Sequence, residues 1–304
     1  MKIPFKKQLI IFLEKNIGYH KKNILNPTDG NLLISELLRL NSPVAIGKIG
    51  SVENWAIRYF LQHRSSSINV VWSHELYRDI YEKAGVFPQQ DNIFNSFILE
   101  FLESIKQLDV LAVWYNRGES NIVKSHAYQA KLTSLLAIEP YYHQEPWSQN
   151  LANKKILVIH PFTESIKQQY KHRDKLWKYQ TCLPNFELVT IKSPLSHALV
   201  RSGFDSWLDA LQSLKEQMSQ KEFDVALVGA GAYSLPLVAH AKKIGKLGIH
   251  LGGATQILFG IKGKRWDNHQ IGLNFYNDYW RRPLPEETPG NIDVLERIDQ
   301  GAYW

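Results

Sequence analysis

The chain has 304 residues, and 36 Lys and Arg against 29 Asp and Glu give it a net charge of +7. Hydrophobic residues make up 44% and charged residues 21%, values that are typical of a globular protein and exclude a disordered, collagen-like or coiled-coil chain. A chain of this length buries enough surface to fold without disulfides. Cys182 is the only cysteine, so no intramolecular disulfide can form, and a reducing cytoplasm is the expected location.

Residues 5–16 predict an amphipathic helix, with apolar residues on one stripe and lysines around it. No apolar run approaches the roughly 20 residues of a membrane span, and Leu9–Leu13 is too short for a secretory leader. The helix could lie on the inner face of a membrane or pack on the core. The basic residues are dispersed and no nucleic-acid-binding motif is present, so nucleic acid is not expected as a partner.

The rest of the first half alternates predicted helices and strands. Helical spacing of apolar residues predicts the helices, and short apolar runs predict the strands. In chain order these are a helix over 28–40, a strand at Pro43–Ile49, a helix from Ser51, a strand at Ile68–Trp72, a helix over 91–106, a strand at Asp109–Trp114 and a helix at Ser125–Leu136.

The second half repeats the alternation more regularly. Its predicted strands are Lys155–His160, Phe186–Ile191, Phe223–Val228 and Gly248–Leu251, and its predicted helices are Glu164–Trp177, Trp207–Gln220, Leu235–Ile244 and Ala254–Phe259. This order indicates an α/β fold, a doubly wound, mostly parallel, Rossmann-like sheet. An extended aromatic segment follows Trp266. Residues 144–154 are the best boundary between lobes at 1–150 and 151–304, unless the two form one continuous domain.

Ligands of parallel sheets bind at the carboxyl ends of the strands, which selects the residues that follow each predicted strand. Two such segments are rich in small residues, and small residues allow a phosphate to approach the backbone. A tight turn that needs glycine for steric reasons is the other explanation. A third glycine near Leu235 and a later acidic residue are missing, so the pattern does not predict NAD binding. The candidate donor-binding residues here are Gly229, Gly231, Tyr233, Gly252, Gly253 and Thr255, with His250 as a phosphate contact or base.

The most informative segment is Lys48-Ile49-Gly50-Ser51-Val52-Glu53, where a strand ends in a glycine turn and a carboxylate follows on the first helical turn. It resembles the Arg-x-Gly-x-x-Glu motif of the GT-D type glycosyltransferases, a group that includes the DUF1792 domain. Lys48 stands at the arginine, Gly50 at the glycine and Glu53 at the glutamate. The glycine-rich second half and the aromatic ending add to the resemblance.

The resemblance implies a glycosyltransferase of bacterial surface polysaccharide assembly. Its partners would be a nucleotide-sugar donor and a glycan or lipid-linked acceptor. A Mn²⁺ or Mg²⁺ ion would contact Glu53, but Ser51 replaces the aspartate of the family's Asp-x-Glu pair and removes one carboxylate ligand. Lys48 keeps the charge of the motif arginine but loses its bidentate geometry.

Sugar transfer requires that the leaving phosphate be stabilised and, with inversion, that the acceptor hydroxyl lose a proton. Lys48, Gly50 and Ser51 are candidates for the first task, with Trp114 and Asn116 lining the pocket. Candidate bases are Glu53, Glu75, His160 and His250. Two alternatives stay open: a nucleotide-dependent oxidoreductase or epimerase acting on sugars, and a non-catalytic anion-binding protein.

Overall fold

The computed structural model describes residues 5–64, 70–195, 203–289 and 301–304. Eight strands form one sheet in the order β1-β4-β3-β2-β8-β7-β5-β6, and every strand pair in it is parallel. The expected α/β fold with a doubly wound parallel sheet is therefore confirmed. The strands are β1 (Ile24–Leu25), β2 (Val44–Gly47), β3 (Val110–Val113), β4 (Lys131–Ser134), β5 (Lys155–His160), β6 (Glu187–Lys192), β7 (Val225–Val228) and β8 (Leu247–His250).

Helices cover both faces of the sheet, and each face has its own hydrophobic cluster. The helix α1 (Phe5–Leu13) precedes the sheet. On one face lie α3 (Ser51–His63), α4 (His74–Glu82), α5 (Asp91–Lys106), α6 (Glu119–His126), α10 (Trp207–Ser219) and α11 (Ser234–Lys243). On the other lie α2 (Pro27–Leu40), α7 (Leu135–Ile138), α8 (Thr163–Tyr170), α9 (Arg173–Leu176), α12 (Ala254–Leu258), α13 (Lys264–Asp267) and α14 (Gln270–Phe275). Within the described ranges, no helix has the length and apolar character needed to cross a bilayer.

The central strands are apolar because both of their faces are covered. All four residues of β2, β3, β7 and β8 are buried. Continuous apolar runs of this kind are typical of parallel sheets, whose crossover helices pack on both sides. Both halves of the chain contribute to this one sheet, since β2 of the first half pairs with β8 of the second.

The helices that follow the paired strands β2 and β8 leave on opposite faces of the sheet. The helix after β2 is α3, and its Ile57 belongs to the first hydrophobic cluster. The helix after β8 is α12, and its Ile257 belongs to the second. Because the two helices leave on opposite faces, a crevice forms between the carboxyl ends of β2 and β8, the usual ligand position in open α/β sheets.

Three predicted elements were wrong. The predicted helix Ser125–Leu136 is instead α6, then β4, then α7, because Lys131–Ser134 pairs with both β1 and β3. Residues 70–72 of the predicted strand Ile68–Trp72 form no strand, and Ile68 and Asn69 lie outside the described residues. The predicted helix Glu164–Trp177 is interrupted between α8 and α9.

The N-terminus of α8 is held by a carboxylate from the segment after β8. The side chain of Glu287 is buried, and its oxygens accept hydrogen bonds from Glu164 N at 2.8 Å and Ser165 N at 3.0 Å. The Ser165 hydroxyl also donates to Glu287 Oε2. Unsatisfied N–H groups and the helix dipole favour a negative charge at such a position. Glu287 therefore fixes the aromatic segment to the strand-end edge of the sheet.

We predict that Glu287→Gln lowers the free energy of unfolding by about 1–3 kcal/mol, because an amide offers one acceptor and no charge to several buried donors. The adjacent Glu286 is exposed and provides a matched control. Urea denaturation of the two variants should show a reduced midpoint for Glu287→Gln and a midpoint near wild type for Glu286→Gln. Equal midpoints would show that the cap adds no stability.

Candidate functional site

Lys48 directly follows β2, and its side chain is buried at the strand-end edge of the sheet. Its Nζ donates a hydrogen bond to Leu251 O at 3.0 Å, beyond the end of β8. It also lies 5.7 Å from the ring centroid of Trp114, which follows β3. Burial lowers the pKa of Lys48, Glu139 opposes this shift, and Arg265 adds to it. No carboxylate among the described side chains forms an ion pair with Lys48.

His250 and Lys48 face the same glycine turn. Gly252 has a φ of +60°, and a Cβ built on it would lie 3.5 Å from His250 Nε2 and 3.6 Å from Lys48 Nζ. Burial, and secondarily the charge of Lys48, lower the pKa of His250 to about 3. The imidazole is therefore neutral near neutral pH, and its buried Nδ1 has no hydrogen-bond partner.

Gly50 makes room for the carboxylate of Glu53. Gly50 is the N-cap of α3, and Glu53 lies on the first turn of that helix. A Cβ on Gly50 would collide with Glu53 Oε2, so the side chain of Glu53 folds back across the glycine. Burial raises the pKa of Glu53, whereas a hydrogen bond from its own backbone N–H acts against this rise. The carboxylate is thus held at the helix N-terminus by the backbone of its own turn.

Hydrogen bonds connect the turn after β2 with the turn after β3. The Ser51 hydroxyl donates to Asn116 Oδ1 at 3.2 Å, and Asn54 Nδ2 donates to Arg117 O at 3.1 Å. Tyr115, between Trp114 and Asn116, has a φ of +56°, an uncommon value for a residue with a side chain. The structure therefore brings together Lys48, Gly50, Ser51, Glu53, Trp114, Asn116, His250 and Gly252.

Glu119 binds the backbone of the turn after β3. It was not among the site residues predicted from the sequence. Its carboxylate is buried and accepts a hydrogen bond from Trp114 N at 3.0 Å. Burial raises the pKa of Glu119 to about 7, although hydrogen bonds from the backbone of Trp114, Tyr115 and Asn116 oppose the rise. Nothing in the sequence indicated it, because the helix predicted in this region begins at Ser125, beyond Glu119.

Gly229 allows two neighbouring strand-end turns to touch. A Cβ on Gly229 would lie 2.7 Å from Gly252 O, 2.6 Å from Thr255 Oγ1 and 2.7 Å from His160 Cδ2. The side chain of Thr255 is fully buried, and its hydroxyl has no partner. His160 is also buried, and its Nδ1 accepts a hydrogen bond from Phe162 N at 3.0 Å. Burial lowers the pKa of His160 to about 3. These residues support the Gly252 turn by close packing.

The remaining candidates have other neighbours in the structure. Tyr233 is buried in the core, where its ring stacks on Trp207 with centroids 5.3 Å apart, because the turn after β7 directs it inward. Gly231 is exposed with a φ of +55°, a conformation that favours glycine by itself. Gly253 packs against Trp266 and Tyr303. Glu75 is exposed on the first turn of α4.

The donor set around Glu53 does not fit a divalent cation held by the protein alone. Among the described residues, no three His, Cys, Asp or Glu side chains come together in a way that could hold a metal ion. The Ser51 hydroxyl, which stands where the motif that this segment resembles has a second carboxylate, is hydrogen-bonded to Asn116. Mg²⁺ is usually bound by one or two carboxylates together with substrate phosphates, and Glu53 is the only carboxylate on the turn after β2.

No family model matches the sequence, and no curated protein matches it either. The chain is similar to a solved selenomethionine-substituted structure of a domain of unknown function, DUF1792. The two share 14% sequence identity over 82% of each chain, with a TM-score of 0.39. The motif around Lys48 resembles that of the same domain family.

We predict that Glu119→Gln changes how stability depends on pH. The pKa of Glu119 is about 7 in the folded chain, compared with an ordinary value of 4.5. Between these values the unfolded chain loses the proton while the folded chain keeps it, so rising pH destabilises the wild type. Glutamine has no such titration.

Thermal unfolding of both proteins from about pH 5 to about pH 8 measures this effect. The melting temperature of Glu119→Gln relative to wild type should rise up to about pH 7, the pKa of Glu119 in the folded chain, and level off above it. A constant difference would show that Glu119 is already ionised in the folded protein throughout.

Proposed function

We propose that the protein is a glycosyltransferase that takes a sugar from a nucleotide-activated donor. The acceptor would be a glycan or a lipid-linked glycan of bacterial surface polysaccharide assembly. The observation that carries the proposal is the buried ammonium group of Lys48, which has no carboxylate partner among the described residues and lies at the crevice between β2 and β8. The likeness of Lys48, Gly50 and Glu53 to the GT-D motif supports it.

A buried cation without a counter-ion is costly, so a site that retains one is suited to an anionic ligand. The donor's diphosphate would supply that anion. The helix α3 begins beside Lys48, and its first N–H groups have no acceptor within the helix. Its N-terminus and the ammonium group would therefore act on the same negative charge.

The same groups would act during the reaction. Negative charge develops on the diphosphate as the bond to the sugar breaks, and fixed donors in a dry site stabilise such charge effectively. Lys48 is the positive group there. His250, neutral and close to the Gly252 turn, would donate or accept a hydrogen bond without adding a second positive charge.

Glu53 is the best candidate for the base that receives the acceptor proton. His160 is a poor candidate, because its basic Nδ1 already accepts a hydrogen bond from Phe162 N. His250 would have to become cationic next to Lys48. The residue Glu53 is half-buried, and burial raises the pKa of its carboxyl group toward the range in which general bases work best.

We predict that a nucleoside diphosphate raises the melting temperature of the wild-type protein and not that of Lys48→Met. Methionine fills a similar volume without the charge, so the fold should remain intact. UDP, GDP, dTDP, CMP and NAD would be screened by thermal shift with and without Mn²⁺. A ligand at a hundredfold excess over its Kd stabilises the folded state by about 2.7 kcal/mol. Lys243→Met, which replaces an exposed lysine on α11, is the matched control.

The nucleotide that shifts the wild type and Lys243→Met identifies the class of donor. An equal shift in Lys48→Met would remove Lys48 from the site. A shift with NAD alone would contradict the transferase and favour an oxidoreductase. Dependence of the shift on Mn²⁺ would show that substrate phosphates complete a cation site that Glu53 alone does not form.

We predict that Glu53→Gln abolishes sugar transfer but keeps nucleotide binding, because the amide retains the shape of the side chain without its basicity. Product formation from the donor identified above would be followed by chromatography, and a loss of at least about a hundredfold is expected for a missing general base. Glu75→Gln, an exposed carboxylate on α4, should keep wild-type turnover. Normal turnover in Glu53→Gln would exclude Glu53 as the base.

A further inference from the structure

The helix α1 exposes a row of large apolar side chains to solvent. Phe5, Leu9 and Phe12 are spaced at i, i+4 and i+7, so they share one face of the helix. Phe5 is 80% and Phe12 61% exposed, and Ile17, in the following π-helical turn Glu14–Gly18, is 68% exposed. None of the residues of α1 is buried. The alternative that this stripe packs on the core is therefore wrong.

The charge around this face is strongly positive. Residues 5–22 contain five lysines and one glutamate. The glutamate, Glu14, is turned away to the body of the protein, where its oxygens accept hydrogen bonds from Gly118 N at 2.6 Å and Ser120 N at 3.3 Å. The exposed helix and its flanks thus present apolar and cationic groups without a free carboxylate. The lysines are Lys6, Lys7, Lys15, Lys21 and Lys22.

The segment after α1 is fixed beside the candidate site. Glu14 holds the N-terminus of α6, and this helix directly follows the turn that carries Trp114 and Asn116. Tyr19 meets Tyr115 of the same turn edge-on, with ring centroids 5.8 Å apart. The exposed helix therefore leaves the body at the strand-end edge of the sheet, next to Lys48 and its neighbours.

We propose that α1 binds the surface of an anionic lipid bilayer, with Phe5, Leu9, Phe12 and Ile17 among the headgroups and acyl chains and the lysines on the anionic phosphates. Short helices with an aromatic and aliphatic face flanked by lysines bind membranes in this way. Self-association through the same face is disfavoured, because it would bring two sets of five lysines together. The exposed residues of α1 alone support lipid binding. That this binding brings the strand-end site to a lipid-linked acceptor rests on the proposed function.

The test is flotation of the full chain with vesicles of phosphatidylcholine, with and without phosphatidylglycerol. The wild type should float with the anionic vesicles and lose binding at high salt. The triple variant Phe5→Ser, Leu9→Ser, Phe12→Ser should bind at least tenfold less. Lys6→Gln with Lys7→Gln should also lower binding about tenfold or more, since each basic residue near an anionic surface strengthens binding several-fold.

A second triple variant, Leu40→Ser, Val71→Ser, Leu273→Ser, removes exposed apolar residues elsewhere and should bind as the wild type does. Failure of the wild type to float, or equal binding of the α1 triple variant, would overturn the proposal. A concentration-dependent dimer that the α1 variant abolishes would assign the face to a second copy and overturn it as well.

The nucleotide thermal shift, measured on the same proteins, separates this proposal from the transferase. A retained nucleotide shift without lipid binding overturns the membrane surface alone. Lipid binding without any nucleotide shift supports the membrane surface and counts against the transferase only.

Discussion

The site depends on one buried positive charge between the carboxyl ends of β2 and β8. Parallel strands place all their carboxyl ends, and the N-termini of the helices that follow, along one edge. Such an edge already favours anions, so a lysine buried there increases a positive potential that the fold has created. The hydrogen bond to Leu251 O and the ring of Trp114 hold the ammonium group in place without neutralising it.

Elsewhere along this edge the protein neutralises the helix N-termini with its own carboxylates. Glu14 accepts a hydrogen bond from the N-terminus of α6, and Glu287 accepts one from the N-terminus of α8. Both come from segments outside the sheet, and each therefore performs two tasks: it satisfies N–H groups and fastens its segment to the body. At α3 the acidic residue belongs to the helix itself, since Glu53 folds over Gly50. This arrangement leaves the buried ammonium group of Lys48, between α3 and the Gly252 turn, without a carboxylate partner among the described residues.

The strong apolar runs made the central strands predictable, whereas the short strand β1 and the weakly apolar strand β4 were not predicted. The residues of β4 include a lysine, a threonine and a serine, and the positions of Leu132, Leu135 and Leu136 fit helical spacing. The segment forms a strand because it pairs with both β3 and β1, which the local sequence does not show. Val70, Val71 and Trp72 alternate buried and exposed as a strand would, with Val71 80% exposed. An alternation of buried and exposed residues shows only which side chains are covered, as Trp72 is where it stacks on Phe60. It does not show whether a neighbouring strand supplies backbone hydrogen bonds.

Residues that follow strands could be placed at the site from the sequence, since topology brings strand ends together. The direction of a side chain after a turn could not, which is why Tyr233 points into the core instead. The sequence also did not predict which carboxylates bond to the backbone at these turns and helix N-termini. They are Glu14, Glu119 and Glu287, three of the 29 acidic residues. Nothing local distinguishes a carboxylate that caps a helix about a hundred residues away, because the pairing exists only after the sheet has formed.

Lys48 stands where the motif that this segment resembles has an arginine, and a lysine fits the surroundings better. An arginine brings five N–H donors in a rigid plane, and each buried donor needs an acceptor. Around Lys48 the protein supplies one carbonyl, that of Leu251, and an aromatic face. A lysine ammonium has only three donors, and one of them is used on that carbonyl. An arginine would leave more buried donors unsatisfied, so a lysine at this position keeps the positive charge at a lower free-energy cost.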